Sequence, residues 1–115
     1  MSFQATRRES GGVTILDLNG RITLGDGSQT LRELIQKELD SGYKKIVLNL
    51  AGVAYMDSTG LGELVSGYRH VKGLGGELKL LSLNKKVSDV LQITRLYSIF
   101  EIHNEEARAV ASFQA

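Results

Sequence analysis

The chain has 115 residues, of which 42% are hydrophobic and 23% are charged, and its net charge is +1. That length predicts one domain over residues 1–115, large enough to fold without disulfides or metals. The absence of cysteine and the presence of only two histidines exclude disulfides, thiolate chemistry and multi-histidine metal sites. Balanced charge without a basic stripe argues against direct nucleic-acid binding. No apolar run approaches a membrane span, and no signal peptide is visible, so we expect a soluble, cytoplasmic protein.

The first third of the chain has the pattern of β-strands. Aliphatic and β-branched residues predict strands over residues 3–8, 13–18 and 21–24. Asn19-Gly20 is a dipeptide typical of hairpin turns and separates the second strand from the third. We therefore expect these strands to form an antiparallel meander.

The pattern then changes to a helical period. Apolar residues recur every three or four positions between residues 31 and 39, which predicts an amphipathic helix. Asp26 is expected to be its N-cap, and Gly42 is placed to end it. The nearly continuous apolar run over residues 45–50 predicts a central strand that is covered on both faces.

The rest of the chain alternates between helix and strand. The remaining predicted elements are a helix after Asp57 that ends in the glycines of residues 73–76, a strand over 77–83, a helix capped by Asn84, a strand over 98–103 and a C-terminal helix that starts at 104–106. Such alternation is typical of parallel strands joined by helical crossovers. The prediction is an α/β domain with a mixed sheet, antiparallel at its start and then parallel, packed with about four α-helices.

The segment Met56-Asp57-Ser58-Thr59-Gly60-Leu61-Gly62 lies where a predicted strand meets a predicted helix. Hydroxyls at a helix N-terminus lie beside free backbone N–H groups, which favour an anion. Two glycines inside one helical turn cost about 1 kcal/mol each relative to alanine, which indicates a close approach to the backbone. A purely structural interpretation is equally available, in which Asp57 or Ser58 caps the helix and the glycines permit packing.

Four stretches of the sequence resemble one family. The stretches are VLNLAGVAYMDSTGLGELV, LNGRIT, KIVLNL and GGELKLLSLN, and together they cover nearly the whole chain. They resemble the bacterial anti-sigma factor antagonists, the proteins that define the STAS domain. The D-S-[ST]-G-[LV]-G pattern directly after a strand carries most of the specificity.

The resemblance implies a binding module that is switched by phosphorylation. In that family, the serine that corresponds to Ser58 is phosphorylated by a partner that is both an anti-sigma factor and an ATP-dependent serine kinase. The unphosphorylated form binds this partner and frees the sigma factor, and the phosphorylated form lets go. A PP2C-type phosphatase reverses the modification. ATP then belongs to the partner, and the chain is expected to be a protein substrate without enzymatic activity, cofactor or metal.

The resemblance also implies a recognition surface around Ser58. Its expected members are Asp57, Thr59, Gly60, Leu61 and Gly62, with Arg21 and Asp26 at its margin. Many family members have an acidic residue near the position of Arg21, so a cation here reverses the local charge. Arg21 is either a determinant of partner specificity or a solvated turn residue.

The sequence leaves two alternatives to a phosphorylation switch. The first is a STAS subunit that does not switch, in a lipid-transport or stress-signalling complex, with Ser58 acting only as a helix cap. The second is an enzyme, which no motif supports. Asp57 lacks the acidic pair of a phospho-receiver, and the glycines of residues 73–76 follow a helix instead of preceding one, unlike a dinucleotide-binding loop.

Overall fold

The computed structural model describes residues 3–113. In chain order, its elements are β1 (Gln4–Ser10), β2 (Val13–Ile22), α1 (Ser28–Asp40), β3 (Lys45–Met56), α2 (Ser58–Gly73), β4 (Glu77–Leu81), α3 (Lys85–Ile93), a 3₁₀ turn (Leu96–Ser98), β5 (Ile102–His103) and α4 (Glu106–Ala111). The strands form one sheet in the order β1-β2-β3-β4-β5. The β1–β2 pair is antiparallel and the other three pairs are parallel. The predicted mixed α/β fold is confirmed.

The sheet is covered on both faces. Successive residues of β3 point to opposite sides, so Ile46 and Leu48 join the larger apolar cluster while Val47 joins the smaller one. The larger cluster contains buried residues of α1, α2 and α3, and the smaller one contains Ala109 of α4. This double covering explains why residues 45–50 read as a nearly continuous apolar run.

The predicted hairpin at Asn19-Gly20 is wrong. β2 continues through these residues to Ile22, and its pairing with β3 is parallel, so there is no three-stranded meander. The register with β3 shifts between Asp17 and Asn19 and again between Gly20 and Arg21. Gly20 has a φ of 101°. A glycine at positive φ serves a bulge within a strand as well as a turn between strands, and here it makes a bulge.

The predicted capping role of Asp26 is also wrong. The N-cap of α1 is Gly27, and no side chain caps the helix. Asp26 instead forms a tight turn with Thr23, and its Oδ1 accepts a hydrogen bond from the backbone N–H of Phe3 at 3.1 Å. Gly27 has a φ of 97°, a conformation that glycine adopts without strain. The chain therefore enters α1 through a glycine.

The later elements lie close to their predicted places in the chain, but several strands differ from the prediction in length. β3 extends to Met56, β4 ends at Leu81, and β5 has only two residues. Asn84 caps α3 as predicted, because its side chain accepts a hydrogen bond from the backbone N–H of Val87 at 2.9 Å. None of the helices within residues 3–113 combines the length and hydropathy that crossing a membrane requires.

A polar cluster centred on Arg8 joins β1, β2, β3 and α4. Arg8 Nε donates to Asp17 Oδ2 at 2.7 Å, and Arg8 Nη1 donates to Glu106 Oε2 at 2.8 Å. Asn49 Nδ2 donates to the other oxygen of Asp17 at 2.8 Å. The hydrogen bond from Arg8 is the main cause that lowers the pKa of Asp17 below 3.8 and the pKa of Glu106 below 4.5. Both carboxylates therefore favour the folded state in their charged form.

The buried Lys79 holds α4 on the sheet. Its ammonium group donates to the backbone oxygen of Ser112 at 3.0 Å and to Ser112 Oγ at 2.8 Å. It also lies 3.1 Å from Glu101 Oε2 and 4.3 Å from the ring centre of Phe113. Because an unpaired buried charge is costly, these partners are what allow a lysine at this position.

The Arg8 cluster predicts a specific loss of stability in acid. A carboxyl group with a depressed pKa in the folded state contributes stability above its unfolded pKa and loses it as the pH falls through the folded pKa. The free energy of unfolding should therefore fall as the pH drops below about 4.5. Arg8→Gln should lower it by about 1 kcal/mol at pH 7 and reduce its dependence on pH.

Urea denaturation at a series of pH values measures both effects. Arg108→Gln is the matched control, because within residues 3–113 Arg108 pairs only with the exposed Glu105, the N-cap of its own helix. An Arg8→Gln variant with the acid sensitivity of the wild type would contradict this account.

Candidate functional site

The segment singled out in the sequence lies where β2 and β3 end side by side. Ile22 of β2 pairs with Met56 of β3, and both are the last residues of their strands. Asp57 follows Met56, and α2 begins at Ser58. The site therefore lies at the carboxyl-terminal edge of a parallel strand pair, the edge at which α/β proteins gather functional residues.

Asp57 is the N-cap of α2 and also holds the neighbouring loop. Its Oδ1 accepts a hydrogen bond from the backbone N–H of Gly60 at 2.8 Å, and its Oδ2 accepts one from the N–H of Leu24 at 3.1 Å. These bonds, first that from Gly60 and then that from Leu24, lower the pKa of Asp57 below 3.8. The carboxylate is thus ionised at neutral pH, and its position is fixed from two sides.

Ser58 is the first residue of α2, and its side chain is exposed. Within residues 3–113 its hydroxyl takes part in no hydrogen bond. The interpretation of this segment as a simple cap therefore applies to Asp57 and not to Ser58. A free hydroxyl at the first helical position is open to an approaching enzyme.

The two glycines of the segment differ in their surroundings. A Cβ on Gly60 would lie 1.8 Å from the backbone oxygen of Ile22, so only glycine lets the first turn of α2 approach the end of β2. A Cβ on Gly62 would meet nothing within 4 Å, and the residue is exposed. Gly60 is required by packing, whereas Gly62 leaves the outer face of α2 flat.

Leu61 and Thr59 lie on different sides of α2. Leu61 is only 8% exposed and belongs to the larger apolar cluster, so most of its side chain is committed to the core. Thr59 is half-buried and borders a pocket on the α1 side together with Leu24, Arg32 and Glu63. Arg32 and Glu63 form an ion pair across the two helices.

The two marginal residues, Arg21 and Asp26, also differ. Arg21 is exposed, pairs in register with the half-exposed Tyr55 and has no acidic partner in the described part of the chain. Asp26 is half-buried and holds the N–H of Phe3, which gives it a role in the fold. Both lie near the end of β2, Arg21 within the strand and Asp26 in the turn that follows it.

A second groove lies on the other side of α2 and was not predicted. It is called here the Ser58 groove, and it is lined by Ser58, Leu61, Gly62, Val65, Ser66, Arg69 and Leu96. Helical spacing from Ser58 would have found Gly62, Ser66 and Arg69, because residues three or four apart share a face. Leu96 comes from the 3₁₀ turn, and no sequence signal connects it with α2. Leu24, which is 77% exposed beside Asp57, was missed as well.

Neither histidine belongs to the site. His70 makes a hydrogen bond with Gln36 at 2.9 Å, and His103 makes one with Glu101 at 2.6 Å. Over residues 3–113, His, Asp and Glu side chains form no group of three or more that could hold a metal ion.

Substitution of Gly60 and of Gly62 by alanine should have opposite effects on stability. Gly60→Ala should lower the free energy of unfolding by about 3 kcal/mol, because the new methyl group overlaps the Ile22 carbonyl. Gly62→Ala should raise it by up to about 1 kcal/mol, because alanine has the higher helix propensity and the added methyl group meets open space. Urea denaturation of the pair provides an internal control. Equal effects of the two substitutions would contradict the proposed contact between α2 and β2.

Both the sequence and the fold of this chain are similar to those of known proteins. The family model for the STAS domain matches residues 4–109. The anti-sigma F factor antagonist of Paenibacillus polymyxa is 25% identical over 119 aligned residues, which cover 99% of this chain and 97% of that protein. The crystal structure of TM1081 from Thermotoga maritima superposes with a TM-score of 0.89 at 28% identity, covering 96% of this chain and 95% of that one.

A third similarity concerns the fold alone. The Bacillus protein SpoIIAA in its phosphorylated form superposes with a TM-score of 0.73 at 20% identity, covering 98% of this chain and 100% of that one. The family match spans nearly all of the sheet and the helices that surround the Ser58 groove. The chain therefore belongs to the STAS domain family.

Proposed function

We propose that this chain is an anti-sigma factor antagonist that is switched by phosphorylation of Ser58. In its unphosphorylated form it binds an anti-sigma factor that is also a serine kinase, and the sigma factor is released. Phosphorylation ends this binding. The function named for the Paenibacillus polymyxa relative supports the proposal, as does the existence of a phosphorylated form of SpoIIAA, a protein of the same fold.

The observation that carries the proposal is the exposed, unbonded hydroxyl of Ser58 at the start of α2. A kinase needs access to this oxygen, and none of the surrounding structure has to open to provide it. The helix cap is supplied by Asp57, so modification of Ser58 leaves the cap in place. The same exposure allows a phosphatase of the PP2C type to remove the group.

The charge of a phosphoryl group is large enough to work the switch. It adds about 1.5–2 negative charges beside the ionised Asp57. In water, two unit charges 4 Å apart repel by about 1 kcal/mol, but when a docked partner excludes water and the effective dielectric constant falls to 20, they repel by about 4 kcal/mol, so docking costs about 3 kcal/mol more. A hundredfold loss of affinity needs only about 2.7 kcal/mol. The dipole of α2 offsets about 1 kcal/mol of the repulsion within the chain, which favours a switch with little change of shape.

The remaining chemistry belongs to the partners. The kinase supplies ATP, and the chain itself serves as the phosphoryl acceptor without a cofactor or metal of its own. Asp57, Thr59 and Gly62 form the accessible part of the proposed recognition surface, the buried Gly60 and Leu61 support it from beneath, and Arg21 and Asp26 lie at its margin. The protein acts in the cytoplasm, where the sigma factor is bound and released, and it does not contact nucleic acid directly.

Phosphorylation should be confined to one residue. Incubation with ATP and the cognate anti-sigma kinase should add the mass of one phosphoryl group, measured on the intact protein. Ser58→Ala should remain unmodified. Ser66→Ala is the matched control, because Ser66 is exposed on the same helix and lines the same groove. A wild-type protein that stays unmodified, or a Ser58→Ala variant that is modified to the same extent, would contradict the proposal.

Phosphorylation of Ser58 should lower the affinity of the chain for the kinase. Phosphorylated protein should bind the kinase at least about a hundredfold more weakly than unmodified protein, measured by isothermal titration. Asp57→Asn should reduce that factor, because asparagine keeps a capping oxygen but removes the neighbouring charge.

Circular dichroism should be the same for the two phosphorylation states. A loss of affinity below about tenfold would contradict the charge argument. In a pull-down with this chain as bait, recovery of a transport ATPase or permease in place of a small kinase would favour the alternative function, a STAS subunit that does not switch.

A further inference from the structure

The arginines of this chain fall into two groups. Arg7, Arg8, Arg32 and Arg108 form ion pairs with carboxylates of the chain. Arg21, Arg69 and Arg95 have no such partner within residues 3–113, and all three are exposed. Two of them, Arg69 and Arg95, are connected with the Ser58 groove in different ways. Arg69 lines it, and Arg95 immediately precedes Leu96, which also lines it.

Among the described residues that line it, the Ser58 groove has one cation, Arg69, and a largely apolar floor. Leu61, Val65 and Leu96 supply the apolar side chains, and none of the lining residues that the structure describes is acidic. Close to Leu96 in the chain, Ile93 at the end of α3 is 81% exposed and Tyr97 in the 3₁₀ turn is 52% exposed, so further apolar side chains reach the surface on both sides of Leu96. An apolar strip flanked by uncompensated cations complements a segment of opposite charge that also carries apolar side chains.

The pocket on the α1 side of α2 differs in charge. It contains Arg32, but this guanidinium is already paired with Glu63, and Glu33 adds a further carboxylate. Among the described residues that line this pocket, no free cation is left for a negatively charged partner. The two sides of α2 therefore differ in the charge that each can receive, although Ser58 and Thr59 are neighbours in the chain.

We infer that the Ser58 groove receives an acidic segment of the anti-sigma factor, with the partner's carboxylates on Arg69 and Arg95 and an apolar side chain against Leu96. The inference rests on the proposed function and adds the chemistry of the docking partner. Arginine suits this role because its planar guanidinium holds a carboxylate through two hydrogen bonds. Phosphorylation of Ser58 places negative charge at one end of the same groove, where an acidic segment would be repelled.

Nucleic acid is the other polyanion that unpaired arginines could bind. The net charge of +1 and the apolar floor of the groove favour a protein segment. The test therefore includes an oligonucleotide as a separate arm.

The experiment measures association rates with the purified kinase that phosphorylates Ser58. For wild-type protein, the rate should fall as salt rises, because opposite charges attract at long range. The double variant Arg69→Glu, Arg95→Glu should associate at least about tenfold more slowly at low salt, and its rate should not fall as salt increases. The milder Arg69→Gln, Arg95→Gln variant should lie between the two. Unfolding midpoints check that each variant is folded.

Lys44→Glu is the matched control. Lys44 is an exposed cation without an ion pair in the described range, and it precedes the opposite end of β3 from Ser58. It should associate at the wild-type rate. A folded double variant that matches Lys44→Glu would overturn the inference and leave the proposed function intact. Binding of a fluorescein-labelled single-stranded oligonucleotide that depends on Arg69 and Arg95 would overturn it too. A wild type that no kinase phosphorylates would overturn both proposals.

Discussion

The contact between the first turn of α2 and the end of β2 determines the geometry of the site. The backbone of Gly60 lies so close to the carbonyl of Ile22 that no side chain fits between them. The carboxylate of Asp57 holds the same place from both sides, through the N–H groups of Gly60 and Leu24. Because Asp57 already caps the helix, the hydroxyl of Ser58 has no structural duty and is presented on a rigid support.

This rigidity favours a switch that works through charge. Leu61 and Leu64, in the first two turns of α2, are buried in the larger apolar cluster. Exposing side chains of this size costs about 1.5–3 kcal/mol each, so rearranging α2 would cost as much as the repulsion that a phosphoryl group generates. A change of electrostatic potential at the surface requires no such rearrangement. Neither the proposed function nor the proposed docking in the Ser58 groove requires α2 to rearrange.

Charge is distributed unevenly over the molecule. Carboxylates and arginines pair where elements must be joined, as Arg8 does with Asp17 and Glu106. Within residues 3–113, the arginines without an ion pair are Arg21, Arg69 and Arg95, and Arg69 lines the Ser58 groove. Since a pair within the chain neutralises both members, only the unpaired cations remain to attract a partner.

Sequence reasoning located the junction between β3 and α2 because its signals are local. The switch from strand to helix at Asp57, the cap three residues before Gly60 and the hydroxyl at the first helical position all follow from neighbours in the chain. The order of the later elements followed from hydrophobic period in the same way. Sequence reasoning failed where one local pattern serves two structures. Asn19-Gly20 suits a bulge as well as a hairpin, and Asp26 can bond to a distant N–H as readily as to a helix end.

The sequence by itself thus determined the fold class, the junction between β3 and α2 and the residue types placed there. Only the tertiary structure decided that Gly60 is buried against Ile22 while Gly62 faces outward, and that Leu96 completes a groove beside Ser58. The physical reason is that burial and surface shape depend on which segments pack against one another. Residues 58 and 96 share no helix or strand, and the fold alone brings them to one surface.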